Sequence, residues 1–539
     1  MKLDTLVFAA YLIVVALVGI LASRKKRASD DYFLASRNLT WWVIGGSLVA
    51  ANISTHHFIG MAGQGFTIGL AIASYEWIAA IVLIIYGKFF LPHYLKTRIT
   101  TMPEFLENRF NHRVRLVFAV ISLTGYIFIE LAVVLYTGSL AMESLFGLPV
   151  TWGLLLLGGI GGGYTLYGGL RSVAFTDVVQ VAVLLLGGLA VTTVGLVKVG
   201  GATAGYSATP WSGLDALIAG SPEKFHMVKS WNHPELPWIG VFFGGMWLAN
   251  IFYWGCNQFI TQRTLAARNV WHGQMGVVFA GYLKLLVPVL VVLPGIIAFR
   301  LYDPEAGLLR DQFVLTRGDL AFPTLVKQLL PNGLTGLVMA GLMGAVMSTI
   351  ASLLTSSSAI FTFDIYRRYL NPKADDARLI AVGRWTTVAV LLVATVVGFF
   401  LRDLDAIFTY IQKYWSIAYP SICAVFLAGF FYRRANARGC LTALIAGPVW
   451  ASLYTVAETQ GWVFQIAFLT RAGLDFIFCC FLIWLLRSPT TAVPPQAIVD
   501  RSLAPEDLAM LRRLPWWQSF RFWSGLLLAI LGLLYVRFF

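Results

Sequence analysis

Charge is what this sequence has least of. Only 12% of its 539 residues are Asp, Glu, Lys or Arg, against 58% hydrophobic residues, which excludes an ordinary water-soluble globular chain, where about a quarter are charged. Cysteine is scarce as well. Cys256, Cys423, Cys440, Cys479 and Cys480 show no metal-ligand spacing, and the adjacent Cys479 and Cys480 cannot form an ordinary disulfide, so they read as core residues. There is no soluble catalytic domain, Walker-A loop, Rossmann fingerprint or long linker. The Gly-rich run from Gly158 to Gly163 is not followed by Lys-Ser/Thr and lies in an apolar stretch, so close helix packing accounts for it better than a phosphate cradle. His93, His112, His226, His233 and His272 fall at scattered loop positions and read as surface residues.

What fills the chain instead is 18 Trp, 38 Phe and many aliphatic residues, with a mean hydropathy of +0.74. That is the composition of an all-α polytopic membrane protein in a lipid bilayer. The formal net charge of +14 does not point to nucleic acid, because the basic residues lie in short loops and form no basic amphipathic face. About fourteen transmembrane helices are expected, near 5–22, 41–64, 70–95, 114–146, 150–168, 174–199, 237–262, 272–300, 322–362, 378–400, 404–431, 439–458, 462–486 and 521–538.

Positive charge follows the first apolar run, at Arg24 to Arg27, which reverses the order of a signal peptide and predicts a retained helix with its N-terminus outside. Basic residues then recur in every second loop: Arg109, Arg113 and Arg115; Arg263 and Arg268; Arg367 and Arg368; Arg433, Arg434 and Arg438. The positive-inside rule assigns those loops to the cytoplasm and leaves both chain ends outside. No Asn-x-Ser/Thr sequon falls in a predicted outer loop, which favours a bacterial plasma membrane.

One stretch breaks the pattern. From Ser47 to Gly65 an apolar helix is interrupted by Asn52, Ser54, Thr55, His56 and His57, followed by Gly60, Gly63 and Gly65. Polar groups without partners in hydrocarbon cost several kcal/mol each, so this break must line a cavity or pack inside the protein. A second break, Trp247 to Gln258, again places an Asn and a Gly in an apolar span, five predicted helices later. Two interrupted helices at corresponding positions are the sequence mark of a transporter site between inverted repeats. Glu76, Glu130, Asp177 and Lys284 also lie inside spans, where ionisable groups are expensive and are functional candidates. The bland account is that Glu76 with Lys284, or Asp177 with a helix-end Arg, are structural ion pairs.

These segments resemble the sodium/solute symporters, and within them the sodium/glucose branch. The general family pattern is Tyr164-Thr-Leu-Tyr-Gly-Gly-Leu-Arg-Ser-Val-Ala-Phe-Thr-Asp-Val-Val-Gln180. The sugar-branch features are Asn52 with His57 and Phe58, Tyr75-Glu76-Trp77, Asn250 to Tyr253, Gln262-Arg263, Tyr282 to Lys284, Phe361 to Tyr366 and Phe408 to Gln412. The resemblance runs from about Leu34 to about Phe431. It implies a LeuT-like core of five plus five helices: an extra helix and loop (1–40), a first repeat (41–200), an external loop (201–236), a second repeat (237–432) and peripheral helices (433–539). It implies transport, with no enzymatic activity.

The resemblance also implies a site. Sugar would be bound by Asn52, His57, Glu76, Asn250, Lys284 and Gln412, with Tyr253 stacking below the ring, and Met61, Tyr75 and Phe408 would gate it from outside. Sodium would be held by the carbonyls of Ala50, Ile53 and Ala345 and the hydroxyls of Ser348 and Thr349. Positions 345, 348, 349 and 352 share one helix face by their spacing alone. Such hard neutral oxygens suit Na+ and not soft transition metals. A second sodium site of some relatives would fall on Asp177 and Ser352, but Ala351 has lost one of its hydroxyls, which predicts one sodium per cycle. Ser54-Thr55-His56 stands where the sugar branch usually has Gly and Ser, so the break is expected to be shaped differently. The expected function is sodium-driven symport of a glucose- or galactose-like monosaccharide. The alternatives are symport of myo-inositol, another polyol, a nucleoside or a sialic acid, or a transport-dead sensor.

Overall fold

The computed structural model describes residues 2–22, 29–401, 407–488 and 503–539. The Arg24–Arg27 cluster, Arg501 and the start of the span expected from 404 lie outside the described residues. The protein is all-α, and among the described residues the one β feature is an isolated bridge between Leu39 and Ala267.

The helices that matter for the site are, in chain order, α1 (Lys2–Ala22), α2 (Trp41–Asn52), α3 (Ser74–Ile85), α4 (Ala132–Phe146), α5 (Val150–Ala202), α6 (Gly245–Ile251), α7 (Val270–Leu290), α8 (Leu334–Ile360) and α9 (Ile407–Phe431). Among the described residues twelve helices are long and apolar enough to cross a bilayer, against about fourteen expected from the sequence. Two expected spans account for the difference. Residues 41–67 are divided by the break after Asn52, and Val150–Gly163 is a short apolar segment. It is separated from the rest of α5 by a bend at Gly169, where φ is 60° and an added Cβ would sit 2.7 Å from the Tyr32 carbonyl oxygen. Only glycine meets both conditions without strain. The span expected over 322–362 is likewise two elements, Ala321–Leu329 and α8, joined through Gly333 at φ +94°.

At the centre, α8 packs along α5 and is itself apolar almost all round, with 94% of its span buried. A helix without a polar face belongs inside a bundle, where its hydroxyls meet protein and not lipid. The outer ring is the reverse: α1 buries only 11% of its span and presents Leu6, Ile13, Leu17 and Ile20 outward, as a helix in contact with acyl chains should.

Both ends of the described chain are tied to the fold. Asp4 Oδ1 accepts from the amides of Gly333 (2.7 Å) and Gly336 (2.9 Å), capping α8, and the Phe538 carbonyl accepts from Met227 N (2.9 Å). Two arginines expected as loop charges are also bonded into the fold. Arg109 donates to the carbonyls of Gly429 (3.0 Å), Tyr432 (3.2 Å) and Ala435 (3.4 Å), while Arg115 pairs with Asp364 and Glu107, both at 2.6 Å.

Candidate functional site

The first break follows from where its backbone donors go. In a continuous helix the Ser54 amide would take the Ala50 carbonyl; instead it donates to His57 Nδ1 (3.3 Å), and Ile53 turns to extended backbone at φ −79°, ψ 117°. A π-helical turn, His56–Met61, restarts the helix. Ser54 Oγ is 2.5 Å from His56 Nδ1, and Thr55 Oγ1 meets Thr137 Oγ1 of α4 at 2.7 Å. The polar run Ser54-Thr55-His56 therefore holds the break by its own side chains. The second break mirrors it: π-helical Phe252–Cys256 ends at Asn257, at φ −88°, ψ 120°, whose side chain caps the next helix at Phe259 N (3.2 Å).

Between the two breaks lies a buried cavity of about 70 Å³. All seven residues expected to bind sugar line it: Asn52, His57, Glu76, Asn250, Tyr253, Lys284 and Gln412. Lys284 Nζ lies 2.5 Å from Glu76 Oε2 and also donates to Asn52 Oδ1, while His57 Nε2 is 3.6 Å from Glu76 Oε1. One cation thus ties α2, α3 and α7 together. Asn250 is folded back onto its own helix, donating to the Met246 carbonyl at 3.0 Å. Two of the three expected gates, Tyr75 and Phe408, line the cavity and pack edge to face with ring centroids 5.1 Å apart. Met61 does not line it. The Phe408 backbone lies against Gly60, where an added Cβ would be 2.8 Å from Phe408 Cβ, and Met61 beside it is fully buried.

Of the five expected ion ligands, Thr349 is bonded to Ala345, and Ser348 is bonded to Asp177. Thr349 Oγ1 donates to the carbonyls of Ala51 (3.1 Å) and Ala345 (3.0 Å), joining α8 to the end of α2, and Ser348 Oγ donates to Asp177 Oδ1 at 2.5 Å. Hydroxyls whose protons are committed in this way present lone pairs to a cation. Among the described residues there is no group of three or more His, Cys, Asp and Glu that could hold a metal.

The sequence model of the sodium:solute symporter family matches residues 32–447. The chain belongs to that family. It is 43% identical over 458 residues to a sodium/glucose cotransporter of Vibrio parahaemolyticus, covering 82% of this chain and 83% of the relative. It is 35% identical to sodium/glucose cotransporter 2 of Rattus norvegicus, covering 82% of this chain and 70% of the relative. Identity to the human sodium/myo-inositol cotransporter 2 is 34%, covering 82% and 68%. In fold the symporter is similar to a substrate-bound, outward-open Na+-coupled sialic acid symporter, with a TM-score of 0.78 at 22% identity over 90% of this chain and 97% of that one. It is also similar to a nucleobase-cation-symport-1 family transporter, at TM-score 0.52 and 14% identity over 86% and 96%.

In this symporter Asp177 and Ser352 are together, and Arg263 joins them. Its Nη2 reaches Asp177 Oδ2 at 3.1 Å and Ser352 Oγ, and its Nε donates to Ser47 Oγ at 2.6 Å, which in turn donates to Asp177 Oδ2 at 2.5 Å. A guanidinium therefore stands where a second cation would have to bind. The helix-end Arg of the structural ion pair considered above is Arg263. Sequence reasoning missed several cavity residues, among them His56, Trp254, Trp415 and Tyr419, and gave Glu130 no place in the site. His56 carried a signal as one of the polar interruptions, and Glu130 as a carboxylate inside a span.

Proposed function

We propose that this symporter couples the inward movement of Na+ to that of a glucose- or galactose-like monosaccharide by alternating access. The observation that carries the reading is the cavity between the two broken helices. A Glu and a Lys that pair with each other, two Asn, a Gln, two His and several Tyr line one cavity, which suits a polyhydroxyl ring and supplies donors and acceptors in pairs. Na+ sits at the Ala50, Ile53, Ala345, Ser348 and Thr349 oxygens, where it links the first broken helix to α8. The repeats are 41–200 and 237–432, and the membrane is the bacterial plasma membrane with both termini outside. Moving one charge through about 100 mV supplies about 2.3 kcal/mol. A tenfold sodium gradient adds about 1.4 kcal/mol, and the sum supports a solute gradient of several hundredfold.

The similarity to a myo-inositol cotransporter favours a second reading, a cyclitol in the same cavity. Uptake of a labelled panel of hexoses, myo-inositol, nucleosides and sialic acid into vesicles, with and without a sodium gradient, tests both. Sodium-dependent uptake of glucose or galactose is expected; sodium-independent uptake, or uptake of a non-sugar alone, would overturn the proposal.

A further inference from the structure

Among the described residues, one acid that faces the central cavity has no basic side chain to answer it. Two carboxylates face the cavity, Glu76 and Glu130, and one ammonium, Lys284. Lys284 is committed to Glu76 and Asn52. The two histidines are committed too, His57 toward Glu76 and the Ser54 amide, and His56 to Ser54 Oγ. Glu130 belongs to none of these contacts; Trp415 Nε1 donates to its Oε1 at 2.7 Å. An indole N–H satisfies one lone pair and brings no charge.

The backbone is shaped to place that carboxylate. Glu130 lies in a seven-residue π-helical stretch, Gly125–Leu131, between His112–Thr124 and α4. Such widened turns are uncommon and recur at functional sites, because they turn side chains out of the α-helical register. Trp415 reaches Glu130 only because residue 125 is glycine: an added Cβ there would lie 2.3 Å from the Trp415 ring. The π-turn and the glycine seat together hold a 95%-buried acid against the transport cavity. A structural carboxylate buried in a membrane protein is ordinarily matched by Arg or Lys, as Asp177 is by Arg263.

We propose that Glu130 is a specificity-determining residue that receives a cationic group of the solute, so that the preferred substrate class is an amino-substituted monosaccharide. Its ring hydroxyls meet the Glu76–Lys284 side and its ammonium meets Glu130. This rests on the sugar reading above and narrows it. An ammonium supplies the basic partner that Glu130 lacks among the cavity residues, and three donors, of which a carboxylate oxygen and nearby lone pairs can take two or more.

The test is competition against sodium-driven uptake of labelled glucose by the purified protein in liposomes, run at neutral pH, where an ammonium and a carboxylate can both be charged. The competitors are glucose, galactose, 2-deoxyglucose and the 2-, 3- and 6-amino-deoxy derivatives of glucose. At least one amino sugar is expected to compete about tenfold better than glucose, an advantage kept in Glu130→Asp and lost in Glu130→Gln. Poorer competition by every amino sugar in the wild type, which needs no variant to fold, would overturn the inference while leaving the sugar reading intact. So would an advantage that survives in Glu130→Gln. If no hexose, neutral or amino, enters with sodium, the sugar reading falls and this one with it.

Discussion

Lys284 and Glu76 stand 2.5 Å apart on helices α7 and α3, and the same ammonium donates to Asn52 at the end of the first broken helix. Each charge alone would be costly at this depth; together they are tolerable and still present hydrogen-bonding edges to the cavity. The pair thus serves packing and recognition at once.

Because Gln412 lines the same cavity without belonging to that ion pair, it separates the two roles. Gln412→Ala should weaken sugar binding by ~1–3 kcal/mol, or roughly tenfold to a hundredfold, with normal membrane insertion and nearly unchanged sodium binding. Calorimetric or fluorescence titration checks this. Unchanged affinity in Gln412→Ala, together with loss of insertion in Lys284→Ala, would make these groups helix-packing elements.

Thr349 joins α8 to the Ala51 carbonyl at the end of α2. Thr349→Ala should raise the sodium concentration needed for half-maximal uptake far more than it changes the ranking of sugars. A sodium titration of uptake that superimposes on the wild type would remove this site from the account.

Arg263 fills the space between Asp177 and Ser352 with a fixed positive charge. One sodium per sugar is therefore expected, measured as a reversal potential or flux ratio in sealed vesicles. A ratio of two would require Arg263 to leave Asp177 during the cycle.

A titratable carboxyl is tied to Thr409, the residue after Phe408. Gln64 Nε2 donates to Thr409 Oγ1 (3.1 Å), which donates to Glu235 Oε2 (3.0 Å) in the loop preceding Trp238. Burial raises the Glu235 carboxyl above its ordinary value, and the hydrogen bonds to Thr409 and Gln64 offset this only in part. A carboxyl with a raised pKa in the closed form binds its proton more tightly there than in an opened, hydrated form, so acid stabilises the closed gate. Opening should become easier as pH rises through the range just above the usual Glu value of about 4.3. The rate of external sugar exchange against pH measures it, and Glu235→Gln should flatten the profile.

Much of this arrangement was legible in the sequence, and the reasons are local. Asn52 and Asn250 stand out because a polar residue in an apolar run has few places to go but a cavity, and the oxygen set at 345, 348 and 349 shares a face by helical spacing. What was not legible depends on rotation and register. Gly125–Leu131 has an ordinary helical composition, so nothing in it announced a π-turn or aimed Glu130 at the cavity. Arg109 and Arg115 count as loop charges by the positive-inside rule, yet they fold inward to satisfy the carbonyls and acids of neighbouring helix ends. Met61 is fully buried beside Gly60, which packs against Phe408, and is not among the cavity-lining residues.

The central claim is that a sodium gradient drives sugar through the cavity at the Glu76–Lys284 pair. Its most direct test is accumulation of labelled glucose and galactose in liposomes containing the purified protein, under an inward sodium gradient with a negative interior potential. The account predicts accumulation above the external concentration that collapses when K+ replaces Na+ and is lost in Lys284→Ala that still inserts and still binds sodium. Equal accumulation in K+, or undiminished sodium-driven accumulation in Lys284→Ala, would contradict it.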